Sequence, residues 1–162
     1  MVEIRSITLE DLPALRETLD AVARERCYLH MLEAPPLERL TNYVRNGLEK
    51  GHIHLVAAEG PKIAGWCDIT RGINGEVHVG HLGMGVLNEF RGQGIGRRLM
   101  ETAIAQARVL RLEKIELQVF TANIPAMALY KKLGFVEEGL RKRARLVDGV
   151  YDDILLLALF LE

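Results

Sequence analysis

The sequence predicts a mixed α/β fold built on one sheet, and three observations carry that prediction. Apolar segments of period two are interleaved with segments of helical period, a glycine-rich turn joins one such strand to one such helix, and the chain closes on a strand-turn-strand pair. A length of 162 residues fits one domain, 1–162. Such a domain buries roughly two-thirds of its unfolded surface and needs no disulfide or metal staple. The 21 basic residues against 22 acidic ones leave no general field for nucleic acid or a membrane surface. Cys27 and Cys67 lie on apolar-looking segments without Cys-x-x-Cys or histidine spacing, which suggests reduced, buried thiols in a cytoplasmic protein and no metal site. No signal-peptide pattern opens the chain, and its longest apolar run, Ile154 to Leu161, is far short of the roughly 20 residues of a membrane helix.

Val2 and Ile4 alternate with polar neighbours as a short strand, and Thr8 with Asp11 forms a capping-box-like helix start. Leu12, Leu15, Leu19 and Val22 are that helix's buried stripe. After a break from Tyr28 to the Pro35-Pro36 pair, Leu37, Leu40, Val44 and Leu48 mark a second helix ending at Gly51. Three meander strands follow: His52 to Glu59, Ile63 to Thr70 and Glu76 to Leu87, with turns at Gly60-Pro61-Lys62 and Gly72 to Gly75. Trp66 presents a large apolar face to the first helix. Gly80, Gly83 and Gly85 mark a bulge or a close backbone approach in the third strand. Met100, Ala103, Ile104, Ala107 and Leu110 have helical spacing, and Lys114 to Phe120 is a strand parallel to the one before that helix. Asn123 caps a further helix that Pro125 starts and Gly134 ends, and residues 139–161 form a hairpin about Asp148-Gly149.

The stretch Gly85 to Met100, GVLNEFRGQGIGRRLM, organises this order. A turn that offers consecutive backbone amides and runs into a helix N-terminus is a seat for a phosphate, and glycines permit positive φ and close approach. The Gly-Lys-Ser/Thr of a mononucleotide loop is missing, because Arg97 and Arg98 follow Gly96. The acidic residue of a dinucleotide fingerprint is also missing after Lys114 to Phe120.

Arg91-x-x-Gly94-x-Gly96 instead resembles the acyl-CoA loop of the Gcn5-related N-acetyltransferases. Asn123 to Phe135 resembles that family's Asn-x-x-Ala-x-x-x-Tyr-x-x-x-Gly-Phe segment. The likeness is close over residues 76–161 and holds by element order over 2–72. It is nearest to the branch acetylating amino acids and similar small amines, judged by the tail Gly139 to Leu161. The resemblance implies a splayed, mostly antiparallel sheet in the order β-α-α-β-β-β-α-β-α-β-β. It also implies acetyl-CoA as cosubstrate without a metal, a small-molecule amine acceptor, direct transfer in a ternary complex, and an oligomeric state open to a homodimer. A CoA-binding scaffold without turnover, or an enzyme acting on protein N-termini or lysines, is the alternative.

The implied cofactor residues are Val86 and Leu87 on the splayed strand, one of whose amides would serve as oxyanion donor, then Arg91, Gly92, Gln93, Gly94, Ile95, Gly96 and Arg97, and Asn123, Ala126 and Tyr130. Arg98 adds positive charge, and Tyr130 matches the tyrosine that returns a proton to the departing sulfur. His81 is the candidate base, ten residues before Arg91, with Glu76 and His78 as nearby alternatives. Glu33, Asp68, Asp152 and Asp153 are candidates for an acidic rim, and Arg141, Lys142, Arg143 and Arg145 for anion contacts, although such runs are more often solvated.

Overall fold

In the computed structural model, which describes residues 1–162, period-two strands sort apolar side chains onto the two faces of a seven-stranded sheet. The elements are β1 (Glu3–Ser6), α1 (Leu12–Arg24), α2 (Leu37–Glu49), β2 (Ile53–Glu59), β3 (Lys62–Arg71), β4 (Val79–Val86), α3 (Ile95–Val109), β5 (Lys114–Phe120), α4 (Ile124–Lys132), β6 (Val136–Val147) and β7 (Val150–Phe160). This is the order the sequence implied. The sheet runs β1-β2-β3-β4-β5-β7-β6, with β4–β5 its one parallel pair.

The start of α1 follows the predicted logic. The Thr8 amide donates to Asp11 Oδ2 at 2.8 Å, and the Arg5 guanidinium grips the same carboxylate at 2.7 and 2.8 Å. Leu15 and Leu19 of α1 pack with Leu40 and Val44 of α2 on one face, over Val56 and Ile63. Leu37 and Leu48 are exposed, so the stripe of α2 is narrower than predicted. The opposite face holds the larger core, in which Leu99, Met100 and Ala103 of α3 meet Leu55, Cys67, Ile69 and Ile115. Cys67 is buried as expected, whereas Cys27 is exposed in the segment after α1.

Two readings of the third meander strand need correction. It begins at Val79, because Asn74–Glu76 form a 3-10 turn ahead of it. Its glycines do not bulge; they clear space for side chains of β3. Gly85 pairs in register with Trp66 and Gly83 with Asp68, and an added Cβ at either position would collide with that side chain. Trp66 thereby lies flat across β4 and packs against the α1–α2 core, as its apolar face suggested.

The feature that positions the site is a parting of strands. Only Val79–His81 of β4 pair with Lys114–Glu116 of β5. Beyond them β4 stays with β3 up to Val86, while β5 stays with β7 over its whole length, from Lys114↔Phe160 to Phe120↔Ile154.

Asp68 provides a test of packing on this face. It accepts from Tyr43 Oη at 3.2 Å, and burial pushes its carboxyl from 3.8 up to about 6. His54, its register partner on β2, is held down to about 4 by burial and so stays neutral over most of that window. Between 3.8 and about 6 the folded protein keeps a proton that the unfolded chain has released, so this group lowers stability as pH rises through the window. Asp68→Asn is therefore expected to match the wild type in denaturant midpoint near pH 4 and to exceed it near pH 7.5. A wild type more stable than the variant at the higher pH would show that the ionised carboxylate is well accommodated.

Candidate active site

The parted strands enclose a cleft of about 790 Å³, with Leu82 to Val86 on one wall and Leu117 to Val119 on the other. Successive peptide groups of a strand point to opposite edges. The Leu87 amide donates to Ala64 O on β3 at 2.8 Å, and His78 O accepts from Glu113 on the other side. The amides of Leu82, Met84 and Val86 therefore face the gap. Of the two oxyanion-donor candidates Val86 is available and Leu87 is not; the Leu87 side chain is also buried outside the cleft. The Val86 carbonyl, which shares the gap edge, accepts from Arg91 Nε at 2.9 Å.

At the mouth lies the glycine turn. Gly92 and Gly94 have φ of 74° and 78°, and Gly94 is the N-cap of α3. The first helical bond of α3 runs from Arg98 N–H to Gly94 O at 3.1 Å, which leaves the amides of Ile95, Gly96 and Arg97 without an intrahelical partner. A Cβ at Gly92 or Gly94 would meet nothing within 4 Å, so the space over the turn is open. An anion seat is thus built of backbone amides, and it fits a diphosphate. The Ile95 side chain belongs to the core and contributes only its amide. Gln93 reaches back to Glu89 O at 3.2 Å and does not line the cleft.

The arginines divide differently from expectation. Arg97 lines the cleft and pairs with Glu101 at 2.7 Å. Arg98 donates to Val2 O at 3.0 Å, outside the cleft. The Arg91 fork engages Glu25 Oε1 and Oε2 at 2.7 and 2.9 Å, while its plane stacks 4.5 Å from the Tyr28 ring. Arg91 lines the cleft and fastens the turn to the chain after α1, with most of its N–H groups engaged inside the protein.

Asn123 caps α4, accepting from the Ala126 amide at 3.3 Å, and both residues line the cleft. Tyr130, on the same helix, is 7% exposed, packs its ring 5.9 Å from that of Phe135, and lines the cleft. Burial pushes its phenol well above 10. It therefore holds its proton at neutral pH and acts as a hydrogen-bond donor.

A polar cluster lies where the strands part. His81, half-exposed and not a core histidine, has Nδ1 3.5 Å from Glu116 Oε2, while Glu116 Oε1 accepts from Lys114 Nζ at 2.8 Å. Lys114 also reaches Glu138 at 2.9 Å, and both glutamates line the cleft. Alternation along β5 shows that Glu116 shares a face with Gln118, but only the β4–β5 register places it opposite His81. Glu76 lies in the turn before β4 and, like His78, is not among the residues that line the cleft.

The break after α1 forms a strap over the cleft. Tyr28, Leu29 and His30, between α1 and α2, line the cleft from the opposite side. Glu25 ties this segment to Arg91 at the end of β4. Arg26 grips Asp148 at 2.8 and 3.0 Å, and Arg145 donates to Leu29 O at 2.8 Å and Arg26 O at 3.0 Å, which tie it to the β6–β7 hairpin. His30 stacks on Phe120 of β5, with ring centres 5.2 Å apart. The strap thus spans the gap.

A charge-assisted bidentate bond contributes about 1.5–3 kcal/mol, so Glu25→Gln should speed exchange of the bonded strap amides, Arg26 N–H to Ala23 O and Ala34 N–H to Asp20 Oδ1, by about tenfold or more. Exchange in α3 should not change. Unaltered exchange in the strap would mean that the Arg91–Glu25 pair does not hold it.

Comparison with known proteins agrees with this geometry. The acetyltransferase (GNAT) family matches residues 15–135. The L-amino acid N-acetyltransferase AaaT of Escherichia coli is 38% identical over 82 residues, 50% of this chain and 51% of that protein. The N-alpha-acetyltransferase RimI of Mycobacterium tuberculosis is 36% identical over 63% of this chain and 64% of its own length. The chain thus spans about half to two-thirds of these curated relatives. The crystal structure of a ribosomal-protein-alanine N-acetyltransferase from Brucella melitensis superposes with TM-score 0.91 at 27% identity, covering 98% of this chain and 99% of that one. A phosphinothricin acetyltransferase from Sinorhizobium meliloti in complex with AcCoA shares the fold, with TM-score 0.92 at 18% identity over 99% of this chain and 88% of its own. With the family matched across most of its length and its fold shared throughout, this chain belongs to the acetyltransferase (GNAT) family.

Proposed function

We propose that the protein is an acetyl-CoA-dependent N-acetyltransferase that acetylates the primary amine of a small molecule by direct transfer in a ternary complex. The observation that carries this reading is the placement of the open Val86 amide and the protonated Tyr130 on one gap whose mouth is an amide-lined anion seat. The amides of Ile95 to Arg97 would hold the diphosphate, and the edge amides of Leu82 and Met84 would align the pantetheine arm. Acetyl-CoA, when bound, supplies an acetyl group already activated as a thioester. No metal enters the reading, which needs only groups of the chain and the thioester.

Each chain group has a defined task. The Val86 N–H offers a fixed donor to the carbonyl oxygen as it gains charge, a role typically worth about 3–4 kcal/mol in related acyl transfers. Tyr130 Oη presents its proton to the departing sulfur. Because burial raises the phenol above its usual value, that contribution is a strong hydrogen bond that delivers the proton only as thiolate charge develops. His81, turned by Glu116, is placed to take the amine proton at Nε2, since Nδ1 faces the carboxylate.

The likeness to RimI of Mycobacterium tuberculosis and to the Brucella melitensis enzyme favours a second reading, in which the acceptor is a protein N-terminus. Thiol release from acetyl-CoA, measured against small amines and against N-terminal peptides, separates the two. The small amines are expected to be turned over. Turnover of peptides alone would select the second reading, and release with neither would remove the enzymatic one.

Tyr130→Phe removes one hydroxyl and little volume. Folding and CoA affinity should persist while kcat falls by about 10²-fold or more. Wild-type kcat in that variant would assign Tyr130 to packing alone.

A further inference from the structure

The acceptor half of the cleft has its own charge pattern. It lies on the strand face shared by His81, Gly83, Glu116 and Gln118, under the strap of Tyr28, Leu29 and His30. Its carboxylates are Glu116 and Glu138, and the single lysine between them, Lys114, is bound by both at 2.8 and 2.9 Å. Two acidic groups against one basic group leave a local excess of negative charge. The cations that could offset it are committed elsewhere. Arg91 has its charge paired by Glu25 and also donates to the Val86 carbonyl. Arg145, which stacks 3.9 Å above Phe120, is held by Asp152 at 2.9 Å and by two strap carbonyls, and it does not line the cleft. Arg97 belongs to the diphosphate end. The remaining walls are apolar: Val22, Leu29 and Leu156.

Taking that half as the acceptor side, as the proposed function does, we infer that the acceptor is a primary amine with an apolar body and no carboxylate beside the reacting nitrogen. An ammonium entering between His81 and Glu138 meets complementary charge. The carboxylate of a free amino acid sits two bonds from its nitrogen and would be carried into the same field, where every lining guanidinium is already paired with a carboxylate. Rejection through an unmatched charge is the stronger half of such a preference. The strap sets the size limit. Because it is tied to Arg91 on one flank and to Arg145 and Asp148 on the other, it roofs the site, which suits a short amine better than a peptide laid along an open groove. This narrows the acceptor class implied by the amino-acid branch to amines that lack the α-carboxylate.

A matched series tests the charge alone. Leucine, leucinamide and 3-methylbutylamine share a side chain and differ at the carboxylate. Their binding to the CoA-loaded protein is to be measured by calorimetry, which does not require turnover. Leucinamide and 3-methylbutylamine are expected to bind at least about tenfold more tightly than leucine, since a carboxylate placed a few ångströms from a net negative charge is disfavoured. The double variant Glu116→Gln, Glu138→Gln leaves Lys114 unopposed and should reduce that gap to about threefold or less, or reverse it. Leucine binding as tightly as the other two, no binding by any of the three, or an unchanged gap in the double variant would overturn the inference. Thiol release is scored separately. A protein that keeps the binding preference but releases no thiol with any amine would fail as the proposed enzyme while the charge selection stands.

Discussion

The structure depends on one parting of strands: β4 follows β3 and β5 follows β7 along their outer edges, while the edges that face each other pair only at Val79–His81 with Lys114–Glu116. A sheet that opens in this way leaves peptide groups without partners, and buried unpaired amides are strongly unfavourable. The chain deals with the exposed edge in two ways. Arg91 satisfies the Val86 carbonyl, and the amides of Leu82, Met84 and Val86 are left facing a cleft wide enough to admit a ligand. In the proposed function the unsatisfied edge is the binding surface. Everything chemical in the site follows from that opening, including the anion seat at its mouth, the tyrosine on its flank and the histidine at its apex.

An open sheet also needs a brace, and the strap between α1 and α2 provides it. Its anchors lie on both sides of the parting: Glu25 and Tyr28 on the β4 side, and Arg26, Leu29 and His30 on the side of β5 and the hairpin. Arg91 is the joint between the two functions of the cleft. One guanidinium holds the last carbonyl of β4, the start of the glycine turn and the strap above the acceptor side. Loss of that joint is therefore expected to disturb the acceptor side more than the amide seat, which is built from α3.

What could be read in the sequence was local. Gly92 and Gly94 were legible because a turn into a helix needs positive φ, and Asn123 was legible because an N-cap has few suitable residue types. The element order followed from alternating periods, and the helix-joined strands had to be parallel. What escaped depended on register and on tertiary ion pairs. Leu87 lost its place to Val86 because alternation of peptide groups is counted from the β3 pairing, which no single strand encodes. Glu116 became a neighbour of His81 only through the β4–β5 register. The grip of Arg91 on Glu25, 66 residues away, is a tertiary pairing that no local pattern encodes. The glycines of β4 were read as close backbone approaches and proved to be clearances for Trp66 and Asp68.

The central claim is that the unpaired edge of β4 and the first amides of α3 together form the cofactor seat. Titration of the protein with CoA, followed by amide chemical shifts, tests it directly. The account predicts that the largest shifts fall on Met84, Val86, and Gly94 to Arg97, with the β1–β2 amides unmoved. Shifts confined to the far end of α3, or to the shallow pocket between Val2 and Arg98, would contradict it.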